Sequence, residues 1–173
     1  MKRYFLLFCV LVFIPAASII AQNQLSNVFR KFRNDEGVKH INLSGDVTKM
    51  LGGKEKKLKS TVQEMHVYLF TGKSFINTHD NARVTKALRE QKFELLLDTR
   101  DKKDKIKIHG VEKNGFMTDL YAEVISGKTK IYLILKGNIM LSELSKMNFD
   151  FEGSSILKKY CFSLNLISGI HIP

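Results

Sequence analysis

The chain of 173 residues carries 28 Lys and Arg against 17 Asp and Glu, a formal net charge of +11, with 44% apolar residues, two Cys, two Pro and no Trp. That length accommodates one domain, the apolar share excludes a disordered chain, and the spread of charge excludes a polytopic membrane protein. Two cysteines exclude a disulfide-dense scaffold.

Lys2 and Arg3 precede an uncharged apolar run from Tyr4 to Ile14, broken at Pro15 and followed by the small residues Ala16, Ala17, Ser18 and Ala21. A basic start, a greasy middle and a small-residue exit are the three parts of a secretory signal peptide. Residues 1–21 are read as that leader, cleaved after Ala21 or, alternatively, after Ser18. An uncleaved anchor is the competing reading, because Tyr4 to Ala21 just reaches a membrane-spanning length. Pro15 and the small residues favour cleavage. Lipid attachment at Cys9 is not expected, since that residue lies inside the greasy run. Losing Lys2 and Arg3 leaves the mature chain strongly basic. It also leaves Cys161 alone, which cannot form an internal bridge and, between Tyr160 and Phe162, reads as a small core residue.

Beyond the leader, Leu25, Val28, Phe29 and Phe32 recur at helical spacing, which predicts a helix over about 26–35, ended by Gly37. Val38 to Ser44 alternates imperfectly and predicts a strand. Asp46 can cap a short helix carrying Val47, Met50 and Leu51, stopped by Gly52-Gly53. A lysine-rich link follows. Met65 to Phe70 predicts an apolar strand, with Thr61 to Glu64 ambiguous between helix end and strand. Asp80 is the expected N-cap of a helix over 81–91 with Val84, Ala87 and Leu88 on its inner face. Phe93 to Leu97 is a continuous greasy run and predicts a central strand.

The second half changes character. Ile106 and Ile108 alternate with Lys105, Lys107 and His109, the pattern of a half-exposed strand. Asn114-Gly115 is a strong hairpin signal, because both positions tolerate positive φ. Phe116 to Val124 forms the next strand, turned at Gly127-Lys128 into Ile131 to Lys136. Leu141, Leu144 and Met147 predict a last short helix. Residues 149–173 are rich in Phe and Ile but aperiodic, with Tyr160 to Ile167 as one further candidate strand. The expected fold is therefore α+β: a single mixed, largely antiparallel sheet with helices packed on one face, a two-layer sandwich. The domains are the leader (1–21), one α+β domain (22–148) and a C-terminal tail (149–173).

This arrangement resembles a known family. The helix at Leu25–Phe32, the strand-to-helix passage Val38–Leu51, the strand Met65–Phe70 and the segment Gln91-Lys92-Phe93-Glu94-Leu95-Leu96 carry the likeness. So do the hairpin at Asn114-Gly115 and the closing run Ile134-Leu135-Lys136-Gly137-Asn138-Ile139. Together with the leader they resemble the secreted bacterial family described as domain of unknown function 4252, over about residues 24–147. The resemblance implies a Gram-negative cell-envelope protein to which no catalysis is assigned. It supplies no functional residues.

Individual constellations do not build a known chemistry. Gly72-Lys73-Ser74 follows a strand as the end of a P-loop would, but position 67 is Val where that motif needs Gly. His40, His66, His79, His109 and His171 show no metal-ligand spacing. His66 and His109 stand on separate strands, where they can meet only in space. Asp98, Asp101 and Asp104 lack the alternation, central Gly and closing Glu of a calcium loop. Glu94, Asp119 and Glu123 offer a carboxylate pair, Asp119 and Glu123 on one strand face, of a kind most sheets contain. No nucleophile elbow is present. Accordingly no catalytic, cofactor-binding or metal-ligating residue is assigned.

The expectation is a noncatalytic domain exported to the periplasm or cell envelope, with no cofactor. Its partner would be an envelope protein or an anionic surface polymer, met through the sheet or the lysine-rich loops. Nucleic acid is not expected, because lysine greatly outnumbers arginine and export removes the chain from it. A membrane is expected only if the leader is retained. The alternative is a small periplasmic hydrolase whose residues converge only in three dimensions, gathering His66 or His109 with a carboxylate in a pocket.

Overall fold

The computed structural model describes residues 24–147 apart from 53–57, 73–75, 102–103 and 145. The expected leader, the tail with its candidate strand, Cys9, Cys161 and His171 lie outside the described residues. In chain order the elements are α1 (Gln24–Arg30) running into a 3-10 turn (Lys31–Asn34), β1 (Val38–Ser44), α2 (Val47–Gly52), β2 (Thr61–Phe70) and α3 (Thr78–Glu90). There follow β3 (Glu94–Asp101), β4 (Asp104–Lys113), β5 (Phe116–Ser126), β6 (Thr129–Ile139) and α4 (Leu141–Leu144). The α+β class and the order of elements are those expected from the sequence. Among the described residues no helix is long and apolar enough to cross a membrane.

The six strands form one sheet in the order β1-β2-β6-β5-β4-β3, antiparallel at every ladder. Tight turns explain the right-hand part of this order. Asn114 and Gly115 both have positive φ, 55° and 80°, as a two-residue hairpin turn requires. The exception is the step from β2 to β3, which runs from one side of the sheet to its far edge through α3. The meander β3-β4-β5-β6 then returns until β6 pairs with β2.

Side chains alternate across the sheet, and both faces are apolar at the centre. One face is aromatic: Tyr68, Phe70, Tyr121, Tyr132 and Ile134 meet Leu25, Val28, Phe29 and Phe32 from the first helical segment and Val84, Ala87 and Leu88 from α3. Phe29 lies 5.1 Å from the rings of both Tyr68 and Tyr132. The other face is aliphatic: Met65, Val67, Leu69, Ile106, Ile108, Leu120, Val124, Ile131, Leu133 and Leu135 join Val47 and Leu51 of α2 and Leu144 of α4. The expected helical stripe Leu25–Val28–Phe29–Phe32 is thus buried as a unit. The longer helices lie on the aromatic face, and the short α2 and α4 serve the aliphatic one.

Two local readings are corrected. The N-cap of α3 is Asn77, whose side-chain oxygen accepts the Asp80 N–H at 2.8 Å. Asp80 lies within the first turn of the helix, wholly buried, with both carboxylate oxygens 2.7 Å from Lys31 Nζ. A buried aspartate in the first turn of a helix looks like a cap in sequence, but its partner comes from a distant segment. The greasy run Phe93–Leu97 is the edge strand β3, not a central one. A β-bulge between Leu95 and Leu97 lets the successive residues Leu96 and Leu97 both pack on the aliphatic face, while Leu95 is left 55% exposed. Bulging, rather than burial on two faces, accounts for the apolar continuity.

Candidate binding groove

On the aromatic face, α1 and α3 cover the middle of the sheet and stop short of the β3 edge. Their absence over β4 leaves a groove of about 550 Å³ between α3 and the sheet. Its floor is built by strand alternation. Lys105, Lys107 and His109 of β4 project to this side, and so do Tyr121 and Glu123 of β5. Its wall is Asn81, Val84, Thr85, Leu88 and Arg89 of α3, closed at one end by Phe93. Residues two apart on a strand are ~6.6–7 Å apart, so the three basic positions of β4 form a line along the floor.

The charges in and around the groove are unequal. Asp98 lies directly opposite Lys107 in the β3–β4 ladder, and its carboxylate is 2.9 Å from Lys107 Nζ. The hydrogen bond from Lys107 holds the Asp98 carboxyl below its ordinary range. The next pair along is Arg100 opposite Lys105, two cations side by side on the groove face. Among the described residues neither of these, nor Arg89, makes an ion pair. Glu123, half-buried on the floor, has none either, although Lys107 stands opposite it on β4. Burial pushes the Tyr121 hydroxyl well up, and the nearby Glu123 charge adds to this. Burial likewise lowers the His109 imidazole below its ordinary value, with Lys107 adding to that and Asp98 opposing it.

The other histidines lie elsewhere. His66 is buried on β2, its Nε2 2.6 Å from Glu64 Oε1, and Lys136 Nζ holds the other Glu64 oxygen at 3.0 Å. The His40 ring stacks on His66 at 5.7 Å and on Tyr68 at 4.4 Å. Burial lowers the His40 imidazole, and Arg33 and His66 add to that. His79 is exposed at the start of α3. His66 and His109 therefore do not meet: His66 has a carboxylate but lies outside the groove, and His109 lines the groove beside Glu123.

The remaining sequence candidates separate. Asp119 takes a hydrogen bond from Thr118 Oγ1 and stands two strand positions before Tyr121. It is therefore ~13 Å from Glu123 along the strand, beyond the span of a glycosidase pair. Glu94 is exposed at the β3 edge. Asp104 accepts from Ser126 Oγ at 2.7 Å, and Asp98 is held by Lys107, so the Asp98–Asp101–Asp104 series is dispersed. Among the described residues no group of three or more His, Cys, Asp and Glu is placed to hold a metal ion. Gly72 occupies a turn at φ 73°, while Lys73 and Ser74 lie outside the described residues.

Sequence reading did not find the groove. Its floor was visible as the polar half of an alternating strand, Lys105-Lys107-His109. Its wall comes from the side of α3 where the inner residues Val84 and Leu88 meet the exposed Asn81, Thr85 and Arg89, and no local pattern tells which strand that side overlooks.

A family model with the description domain of unknown function, DUF4252, matches residues 32–147. The chain belongs to this family. The DUF4252 match begins at Phe32, in the 3-10 turn, and ends at Met147, just beyond α4, so it takes in every strand of the sheet and every residue of the groove. No curated protein and no solved structure matches the chain.

Proposed function

We propose that this DUF4252 chain is a noncatalytic domain exported to the periplasm or cell envelope that holds an acidic partner, a protein or an anionic surface polymer, in the groove between α3 and β4. The observation that carries the proposal is Arg100 directly opposite Lys105, with Lys107 next along and Arg89 on the facing wall. Like charges directly opposite on a sheet repel, and an incoming anion relieves that repulsion. Export is supported by the leader pattern of residues 1–21. N-terminal sequencing of the chain recovered from an envelope fraction checks it, with a start at Gln22 or Ile19 expected.

Binding is tested with poly-glutamate as the probe, titrated by calorimetry against the mature chain at low and at high salt. Heat of binding at low salt that fades as salt is added is expected. The double variant Arg100→Glu, Lys105→Glu should lose it. No binding by the unaltered chain at low salt would refute the groove as an acid-binding site.

A second reading, a small periplasmic hydrolase, is favoured by one observation: His109 and Glu123 line the same groove. Ester or glycoside turnover that disappears in His109→Gln would support it over the first.

A further inference from the structure

Glu123 is out of place in a groove built for acids. It stands half-buried on the floor, among Lys105, Lys107, His109 and Tyr121, and among the described residues it has neither an ion pair nor a hydrogen bond. The lysine best placed to neutralise it is Lys107, its direct cross-strand neighbour on β4. Lys107 instead points to the opposite side, to Asp98 at 2.9 Å. On the β6 side Glu123 is flanked by Tyr132, whose side chain is buried in the aromatic core. A half-buried carboxylate without a partner is unfavourable, and the lysine directly opposite it is already held by Asp98.

The charges along the groove therefore form a sequence. Lys105 with Arg100 beside it marks one end, Glu123 the middle of the floor, and Arg89 with Phe93 the other end. Two cationic ends that make no ion pair among the described residues, with a carboxylate between them, are complementary to a ligand with the reverse order, anion–cation–anion. Val84 and Leu88 on the wall suit the methylene stem of a long amine.

We infer that Glu123 is a specificity-determining contact that receives a primary ammonium, so that the occupant of the groove is an acidic peptide segment carrying a lysine-like amine among its carboxylates. This rests on the acid-binding reading of the groove and narrows it. It favours a peptide over a uniformly anionic polymer, because such a polymer brings no cation to Glu123.

The test uses two matched pentapeptides, Glu-Glu-Lys-Glu-Glu and the same peptide with norleucine in place of its lysine, titrated against the mature full chain. The lysine peptide is the less acidic of the two, so attraction to net positive charge alone ranks the norleucine peptide as tighter. Contact with Glu123 reverses that order, and the lysine peptide is expected to bind about tenfold tighter. Glu123→Gln should abolish the preference while leaving the norleucine peptide bound, and Glu123→Asp, which keeps the carboxylate and serves as the check on folding, should retain it. A norleucine peptide that binds as tightly or more tightly, or a lysine preference that survives Glu123→Gln, overturns the inference while leaving the acid-binding groove standing. Failure of both peptides to bind the unaltered chain removes the groove reading and this inference together.

Discussion

Gly137 of β6 lies so close to Thr61 that a β-carbon there would collide with the Thr61 carbonyl oxygen. Its φ of 153° is within the region that side-chain-bearing residues avoid, and it stands opposite Val62 where a bulge shifts the β2–β6 register. Glycine at this position is what allows β2 and β6 to close on each other. It gives a physical reason for the Lys136-Gly137 step that marks the end of β6. Gly137→Ala should destabilise the chain by about 3 kcal/mol or more, combining backbone strain with overpacking. Gly115→Ala is the contrast. With open space around its Cα and φ 80°, it should cost only about 1–2 kcal/mol from the left-handed backbone. Urea unfolding of both variants measures the difference.

Glu143 ties α4 to the start of β2. Its carboxylate accepts the N–H groups of Lys59 and Ser60, at 3.0 and 2.8 Å, and the Ser60 hydroxyl at 2.7 Å, while Ser60 Oγ accepts the Met140 N–H. Burial raises the Glu143 carboxyl, but these hydrogen bonds outweigh it and leave the group below its ordinary value of 4.5. A folded-state value below the unfolded one means stability that is complete above pH 4.5 and is lost as the pH falls through the folded value. Glu143→Ala should cost about 2–3 kcal/mol at neutral pH by stranding buried donors. Denaturation midpoints taken from pH 6 down to pH 3 should fall less steeply in Glu143→Gln than in the unaltered chain.

Asp80 and Lys31 fasten the first turn of α3 to the 3-10 turn after α1. The two partners are unequal: the Asp80 side chain is 1% exposed and that of Lys31 45%. Removing the lysine strands a buried carboxylate, with only Arg83 and His79, each 3.9 Å away, beside it among the described residues. Lys31→Met should therefore cost about 3 kcal/mol, near the lower bound for breaking a buried pair. Removing the carboxylate leaves a lysine that can turn to water, so Asp80→Asn should cost less. Equal losses in thermal unfolding would contradict this asymmetry, and no loss in either variant would show that the pair does not stabilise the chain.

His40 and His109 both have imidazoles lowered by burial, assisted by Arg33 and His66 in the first case and Lys107 in the second. For a base lowered on folding, the unfolded chain takes up the proton first. Stability is then unaffected well above 6.5 and declines as the pH falls below that value. Urea midpoints at pH 7.5 and pH 5.5 should differ, with the acid value lower. His40→Gln and His109→Gln should each reduce the gap.

The parts of the fold legible in sequence are those whose causes are local. The Leu25–Phe32 stripe, the Val38–Ser44 strand with its bounds, the Asp46 contact with the Lys49 N–H and the Asn114-Gly115 turn depend on residues within a few positions of one another. The misread parts depend on distant partners. Asp80 imitates a cap because nothing near it reveals Lys31. Leu95, Leu96 and Leu97 imitate a central strand because a bulge is invisible in composition, as is the space that Gly110 leaves for Leu96, whose Cδ1 would come within 2.8 Å of a β-carbon at position 110. Lys105, Lys107 and His109 read as the outer side of a half-exposed strand, and they are half-buried. Only the passage of α3 over β5 makes that face a groove, and only the register of β3 sets Arg100 against Lys105 and takes Lys107 away from Glu123.

The most direct test of the groove as the place where a partner sits is a hydrogen–deuterium exchange footprint of the mature chain with saturating poly-glutamate at low salt. Slowed exchange is predicted in the C-terminal half of α3, in β3 from Asp98 to Asp101 and along β4 from Lys105 to His109, with β1 unchanged and the effect reversed by added salt. Protection centred on β1 or α2, or none at all while the polymer is bound, would contradict the account.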